Sequence, residues 1–392
     1  MKVKPHLGGL PDHVRRSLRQ ANFAAALAFL SAVIRRDWHS LMITLITCSV
    51  AAVVTAFQYQ VYTSFVRAGA VAPRYVGGAV WVTASSIECF DFPGVIGEDY
   101  SGQLARFLPQ GSSRRIAFGF AGWTSPTGRR GNVAVIGIDG AAADDTGRVP
   151  DGGFVADVSD LARLDLSGEP GQVATLGNET MVLSGTTDRL ASFLGAPYVV
   201  TTFERARSIL RMDPSTTNFI VTGGPEPDRA ETPGLLAEAS ARFPELAILS
   251  STDFAASSSN YWQRKTGAGS AILLAAVLAS LLMMILLANG VSRFLQRYSQ
   301  DLLSMLGHGA GQRDIWLVTG GIAIVVAAVT LLATMLLTPL MIAVARPLFP
   351  WVEFVAADAL VPSAAVVIAL AIAIGSAGKA VRQFGPEAVF RT

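Results

Sequence analysis

The sequence predicts a membrane protein in which one transmembrane α-helix precedes, and three follow, a large extracytoplasmic α+β domain. Three observations predict it. Apolar residues make up 51% of the 392, and they gather in four windows free of Asp, Glu, Lys and Arg: Ser40–Val66, Gly267–Ser292, Ile315–Ala345 and Ala359–Gly378. Lys and Arg concentrate on one side of those windows. A polar stretch, residues 67–266, separates the first window from the rest. A helix needs roughly 20 mostly apolar residues to cross the hydrocarbon core. One charge at its centre costs about 2.5–3.5 kcal/mol, so four charge-free windows of this length read as four spans.

Residues 1–39 form a cytoplasmic N-terminal segment rich in Lys2, Lys4, Arg15, Arg16, Arg19, Arg35 and Arg36. Leu18, Asn22, Phe23, Ala26, Phe29, Leu30 and Val33 recur at helical spacing, which predicts an amphipathic helix lying along the inner leaflet. It ends at "RRDW", where Trp38 is placed as an interfacial anchor. Residues 40–66 are the first span. The apolar run outlasts a signal peptide's h-region of roughly 7–15 residues and its leader is too long, so cleavage is not expected. Gln58 and Gln60 in "AFQYQVYTSFV" mark where this helix leaves the membrane and enters the domain.

Residues 67–266 carry 17 basic and 22 acidic residues, a net charge of −5, with no basic cluster suited to nucleic acid. Strand signals occur at Ala79–Ser85, Asn132–Asp139, Glu179–Thr187, Pro197–Thr202 and Asn218–Gly224, and helix signals at Thr202–Leu210 and Gly234–Phe243. That mixture predicts α+β. A Ser-rich linker, "SSSNYWQRKTGAGS", returns the chain to the membrane, with Tyr261 and Trp262 as anchors of the aromatic belt.

Residues 267–292 are the second span and 315–345 the third, where Pro339 removes one backbone hydrogen bond and bends the helix. An external loop, 346–358, leads to the fourth span, 359–378, and a cytoplasmic tail, 379–392. Arg293, Arg297 and Arg313 lie between spans two and three, and Lys379, Arg382 and Arg391 follow span four. The loop 346–358 holds Arg346 against Glu353 and Asp358. The positive-inside rule therefore places both termini in the cytoplasm.

The chemistry of catalysis is missing. The four histidines are His6, His13, His39 and His308, none within 67–266. This excludes Ser–His–Asp and Cys–His arrangements in the domain, and the common zinc sites with them. No "GxxxxGK[ST]" phosphate loop occurs. "DGAAADD" (Asp139–Asp145) and "GEDY" (Gly97–Tyr100) match no calcium loop and read as solvated loops. Cys48 in a span and Cys89 in the domain are not expected to pair. The spans hold no central ionisable residue of the kind that marks ion-coupled transporters. Catalytic and metal-ligating residues are thus none, and the chain is expected to bind no cofactor.

Residues 293–314 are the patterned exception among the connections. Leu295, Tyr298, Leu302 and Leu306 form one apolar stripe, "GHGAG" (Gly307–Gly311) breaks the helix, and Asp314 is expected to cap the third span. An amphipathic helix at the cytoplasmic face is a surface on which a cytosolic partner could push.

At these residues the chain resembles FtsX-like/MacB-type ABC transporter permeases, in their DevC-like branch. "DFAASSSNYWQRKTGAGSAILLAAVLASLL", "LLSMLGHGAGQRDI" and the terminal "FGPEAVFR" carry the resemblance. So do "VWVTASSIECFDFPG", "GFAGWTSPTGRRGNVAVIGID" and "LGAPYVVTTFERARSIL" in the domain. The resemblance implies the permease subunit of an exporter in the bacterial inner membrane, paired with a second copy and bound to a separate ATPase subunit that holds the ATP. It implies a periplasmic adaptor, an outer-membrane channel and a lipid, glycolipid or other hydrophobic cargo. By position in the matching motif, the ATPase contact falls on Leu302, Leu303, Leu306, Gly307 and His308. Ser299 and Ser304 stand where relatives often carry an acid and a lysine, and Gly385 precedes Pro386 where Asp is common. The alternative is an FtsX-like scaffold that signals mechanically to a periplasmic enzyme.

Overall fold

The computed structural model describes residues 28, 31–32, 34–104, 113–140, 142–143, 147–222, 232–301, 304 and 312–383. All seven residues of the amphipathic pattern, from Leu18 to Val33, lie outside them. In chain order, α1 (Trp38–Ala68) and the short α2 (Val71–Val76) lead into β1 (Val80–Ala84), β2 (Ser113–Thr124), β3 (Arg130–Ile138), β4 (Gly153–Asp157), β5 (Val173–Leu176), β6 (Glu179–Thr187) and β7 (Tyr198–Thr202). Next come α3 (Phe203–Leu210), β8 (Phe219–Thr222), α4 (Thr232–Arg242), β9 (Leu246–Ser250) and α5 (Ser251–Asn260). A π-turn over Tyr261–Lys265 precedes α6 (Ala268–Arg297), α7 (Gln312–Ala345) and α8 (Leu360–Gln383).

Two compact units result: one of 1–60, 273–342 and 354–392, the other of 61–272 and 343–353. In the first, four helices are long and apolar enough to cross a membrane, and at most 33% of each most apolar window is buried. The remaining apolar surface faces outward, as lipid-facing helices require. Leu41, Leu45 and Cys48 of α1, Leu287 of α6, Val318, Ile322 and Val326 of α7, and Ala369 and Ala373 of α8 share one core. Gly290 permits the tightest approach: a Cβ there would lie 2.8 Å from Thr44 Cγ2. Helix α7 stays helical through Pro339. It begins at Gln312, so Asp314 lies within its first turn rather than at the cap. There the carboxylate is favoured by the helix dipole instead.

The second unit is built on a nine-stranded sheet in the order β9-β1-β8-β2-β3-β7-β4-β6-β5. It is mixed: β7 runs parallel to β3 and β4 parallel to β6, and the other neighbours are antiparallel. The 12-residue β2 pairs with β8 near its start, with β3 along its length, and with β5 at its end, where Trp123 faces Leu176. That last pairing closes β2-β3-β7-β4-β6-β5 into a ring. Successive side chains point to opposite faces, so Ile116, Phe118, Ile136 and Tyr198 enter one core. Ala117, Val133, Val135 and Val199 enter another. Burial on both faces explains why β3 reads as an unbroken apolar run.

The five expected strands are present within about two residues of their expected bounds, as are the two helices. Strands β2, β4, β5 and β9 were not anticipated. The acidic stretches also need correction. Glu98 and Asp139 are partly buried and both pair with Arg115, at 3.0 and 2.6 Å. They are structural ion-pair partners rather than solvated loop residues.

Candidate functional site

The residues assigned to ATPase contact, Leu302, Leu303, Leu306, Gly307 and His308, lie outside the described residues. The approach to them is described. Asp37, one residue before α1, accepts a hydrogen bond from the Tyr298 hydroxyl and pairs with Arg297 at 3.0 Å. Tyr298 is itself buried in the helix core beside Leu41 and Leu45. Burial and the neighbouring Asp37 push its pKa up to about 12, so the phenol stays a donor. The start of α1 and the end of α6 are therefore fastened together at the point from which the patterned segment departs.

Gln60 explains the polar break at the end of the first apolar window. It is fully buried, its amide nitrogen donates to the Val355 carbonyl at 2.9 Å, and its amide oxygen accepts from the Val355 N–H at 3.2 Å. One side chain thus satisfies both backbone groups of a residue just ahead of α8, as buried backbone requires. Ser64, one turn on, makes the same reciprocal pair with the Glu353 backbone.

In the sheet unit, the segment Glu88–Phe92 is strapped to α5 and the π-turn. The Phe90 N–H donates to Ser258 Oγ, the Ser257 hydroxyl donates to the Glu88 carbonyl, and Lys265 pairs with Glu88 at 2.6 Å. Asp91 is the centre of this joint. It is 3% exposed and accepts from the Tyr198 hydroxyl at 2.7 Å and the Trp262 indole N–H at 2.8 Å. Burial raises its pKa, and the hydrogen bonds from Tyr198, Trp262 and Cys89 pull it back. Burial, reinforced by the charge of Asp91, pushes the Cys89 thiol up to about 12. The end of α1 reaches the same place: Gln263 donates to the Tyr62 hydroxyl, and a Cβ on Gly69 would lie 3.2 Å from Ser259 Cα.

The expected membrane anchors occupy different settings. Trp38 is 52% exposed and rests against His39. Trp262 is partly buried, with its ring against Phe92 and Phe193, and Tyr261 also meets Phe92. Asp91 itself was not anticipated. Its signal was available in "ECFDFPG", where a lone acid sits between two phenylalanines.

No group of three His, Cys, Asp or Glu able to hold a metal occurs among the described residues. Cys48 and Cys89 are buried free thiols. What the described geometry provides is a set of buried polar clamps at helix ends.

Fold and hydropathy together define a class, four membrane-length helices carrying a large mixed-sheet domain. No family model matches the chain, and no curated protein does. Among solved structures, the chain is similar to the periplasmic region of MacB from Actinobacillus actinomycetemcomitans, at 9% identity and a TM-score of 0.32, over 45% of this chain and 89% of that one. It is also similar to the extracellular domain of the noncanonic ABC-type transporter YknZ from Gram-positive bacteria, at 10% identity and a TM-score of 0.31, over 44% of this chain and 98% of that one.

Proposed function

We propose that this chain is the permease subunit of an ABC-type exporter in the bacterial inner membrane, with the sheet unit in the periplasm and both termini in the cytoplasm. The motif-bearing segment "LLSMLGHGAGQRDI" and the joint just before it carry this reading. A push delivered to Leu302–His308 by a separate ATPase enters α6 through Arg297 and Tyr298. Asp37 passes it to α1. The chain continues from α1 and into α6 through the sheet unit, where Asp91 with Trp262, and Gly69 with Ser259, hold the two connecting segments. Stiffness at such joints is what transmits a displacement, because packed interfaces move between discrete arrangements rather than deform. A second copy of the chain, a periplasmic adaptor and an outer-membrane channel complete the assembly, and the cargo is a lipid, a glycolipid or another hydrophobic molecule.

Purification from the native host tests the reading. A tagged full-length chain extracted in mild detergent is expected to bring down a distinct ATP-hydrolysing subunit that has the phosphate loop this chain lacks. Recovery of the intact chain with no such subunit would count against an ABC permease. Recovery of the ATPase together with a periplasmic cell-wall enzyme and no adaptor would favour the signalling scaffold.

A further inference from the structure

We infer that the sheet unit carries a binding site for a zwitterionic phospholipid headgroup of the phosphoethanolamine type, between the end of α1 and the segment that precedes α8. The inference rests on the membrane orientation proposed above.

The site is a cleft of about 240 Å³ lined by Arg67, Arg74, Arg189, Asp188, Glu353 and Trp351, among others. Its lining carries both charges, three arginines with two acids, and the Arg67 guanidinium also donates to the Ser64 hydroxyl. Guanidinium is the side chain best matched to phosphate oxygens, because its fixed fork of donors meets two of them at once. Carboxylates in the same cleft would repel a bare phosphate and attract a neighbouring ammonium. A phosphate diester joined to a primary amine satisfies both halves of the lining. Trp351 adds an aromatic face, which also favours a cation. Arg74 is exposed and has no ion-pair partner among the described residues.

Size and position select a lipid. Pockets that enclose a whole drug-sized molecule run to roughly 300–1,000 Å³, so this cleft admits a headgroup and leaves acyl chains outside. Arg67 lies in the last turn of α1, and Trp351 and Glu353 lie between α7 and α8. Each is thus close in the chain to the end of a membrane-length helix. Basic residues this close to a span are disfavoured on the outer side. Arg67 and Arg74, seven positions apart and within about 15 residues of the membrane exit at Gln58 and Gln60, run against that bias, and a phosphate ligand supplies the reason.

The test uses the full-length chain in detergent, titrated with dihexanoyl phosphatidylethanolamine and followed by tryptophan fluorescence, with Trp351→Phe identifying the signal from the cleft. Phosphatidylglycerol and phosphatidylcholine of the same chain length, glycerophosphoethanolamine and inorganic phosphate are the comparison ligands. Phosphatidylethanolamine is expected to bind most tightly. Arg74→Ala and Arg189→Ala should each weaken both it and phosphatidylglycerol by about tenfold, the usual cost of one charge-assisted hydrogen bond. Glu353→Gln should weaken phosphatidylethanolamine alone. Equal binding of all three lipids, or wild-type affinity in both arginine variants that melt like the wild type, overturns the site. Inorganic phosphate or glycerophosphoethanolamine binding as tightly as the lipid overturns the lipid assignment. Alkaline carbonate extraction separates this from the parent reading: a chain released from membranes refutes the spans, whereas a retained chain without headgroup preference refutes only the cleft.

Discussion

The indole N–H of Trp262 meets the carboxylate of Asp91 at 2.8 Å, joining two residues 171 positions apart in the chain. Asp91 belongs to the turn after β1, and Trp262 to the π-turn that feeds α6. The hydroxyl of Tyr198, from within the sheet, and the thiol of Cys89 also donate to this carboxylate. A buried acid held this way fixes the turn after β1 to the π-turn within the sheet unit.

Trp262→Phe keeps most of the ring packing against Phe92 and Phe193 and removes only the donor. A buried carboxylate left short of one partner costs about 1–3 kcal/mol. The full-length variant in detergent should melt below the wild type, and Tyr261→Phe should not. Equal melting of the wild type and Trp262→Phe would show that the hydrogen bond is not a stabilising contact.

The raised pKa of Asp91 sets a sign for pH dependence. In the folded chain this acid holds its proton at pH values where an unfolded aspartate, near 3.8, has lost it. The folded state therefore binds more protons in that window, and stability falls as pH rises through it. Asp160, buried beside Arg163, shifts the same way. The melting temperature of the wild type is expected to decline more steeply than that of Asp91→Asn as pH rises from about 4 toward the shifted value. Parallel curves would contradict the assignment to Asp91.

Cys89 is expected to resist alkylation. Its pKa lies near 12 against an ordinary 9.0, and the side chain is 1% exposed, so thiolate is scarce and hidden at neutral pH. In a Cys48→Ala background, maleimide labelling at pH 7 should be slow until denaturant is added. Rapid labelling of the folded chain would place Cys89 outside the core.

Gly290 offers a test of the helix packing. A leucine there would drive its Cβ into Thr44 Cγ2, and overpacking of this kind costs about 1–3 kcal/mol. Gly290→Leu should lower the melting temperature of the detergent-solubilised chain, with Gly290→Ala intermediate. No change in either would mean that α1 and α6 are not in close contact at this level.

Much of this architecture is legible in the sequence because hydrophobic length is a one-dimensional signal. The charge-free windows coincide with α1, α6, α7 and α8 for that reason. Strands were harder. Strand β2 carries Arg114 and Arg115 in its first three residues and contains Gly119 and Gly122, so neither alternation nor a continuous apolar run marks it. Strand β4 is five residues, buried throughout, and too short to carry a period. The clamps were least legible. Gln60 is visible as a polar interruption, but its partner Val355 is 295 residues away. Nothing in local spacing links Asp37 to Tyr298, which only the helix packing brings together.

Asp37→Ala removes the acceptor that Tyr298 and Arg297 share. An exposed ion pair contributes only about 0–1 kcal/mol. Losing the carboxylate also takes an acceptor from the buried Tyr298 hydroxyl, at about 1–3 kcal/mol. The melting temperature should therefore fall, and Asp37→Asn, which keeps an acceptor, should restore most of it. Basal ATP hydrolysis by the assembled complex is expected to persist with cargo export reduced. Export at the wild-type rate would remove Asp37 from the transmission path.

The most direct test is capture of the ATPase by the full-length chain in mild detergent, comparing wild type with Leu302→Glu and Leu306→Glu at equal chain recovery. The wild type should retain a separate ATPase subunit, and each substitution should release it without lowering the melting temperature of the chain. Equal capture by wild type and both variants, or no ATPase with any of them, would contradict the assignment of this segment as the surface on which ATP-driven force arrives.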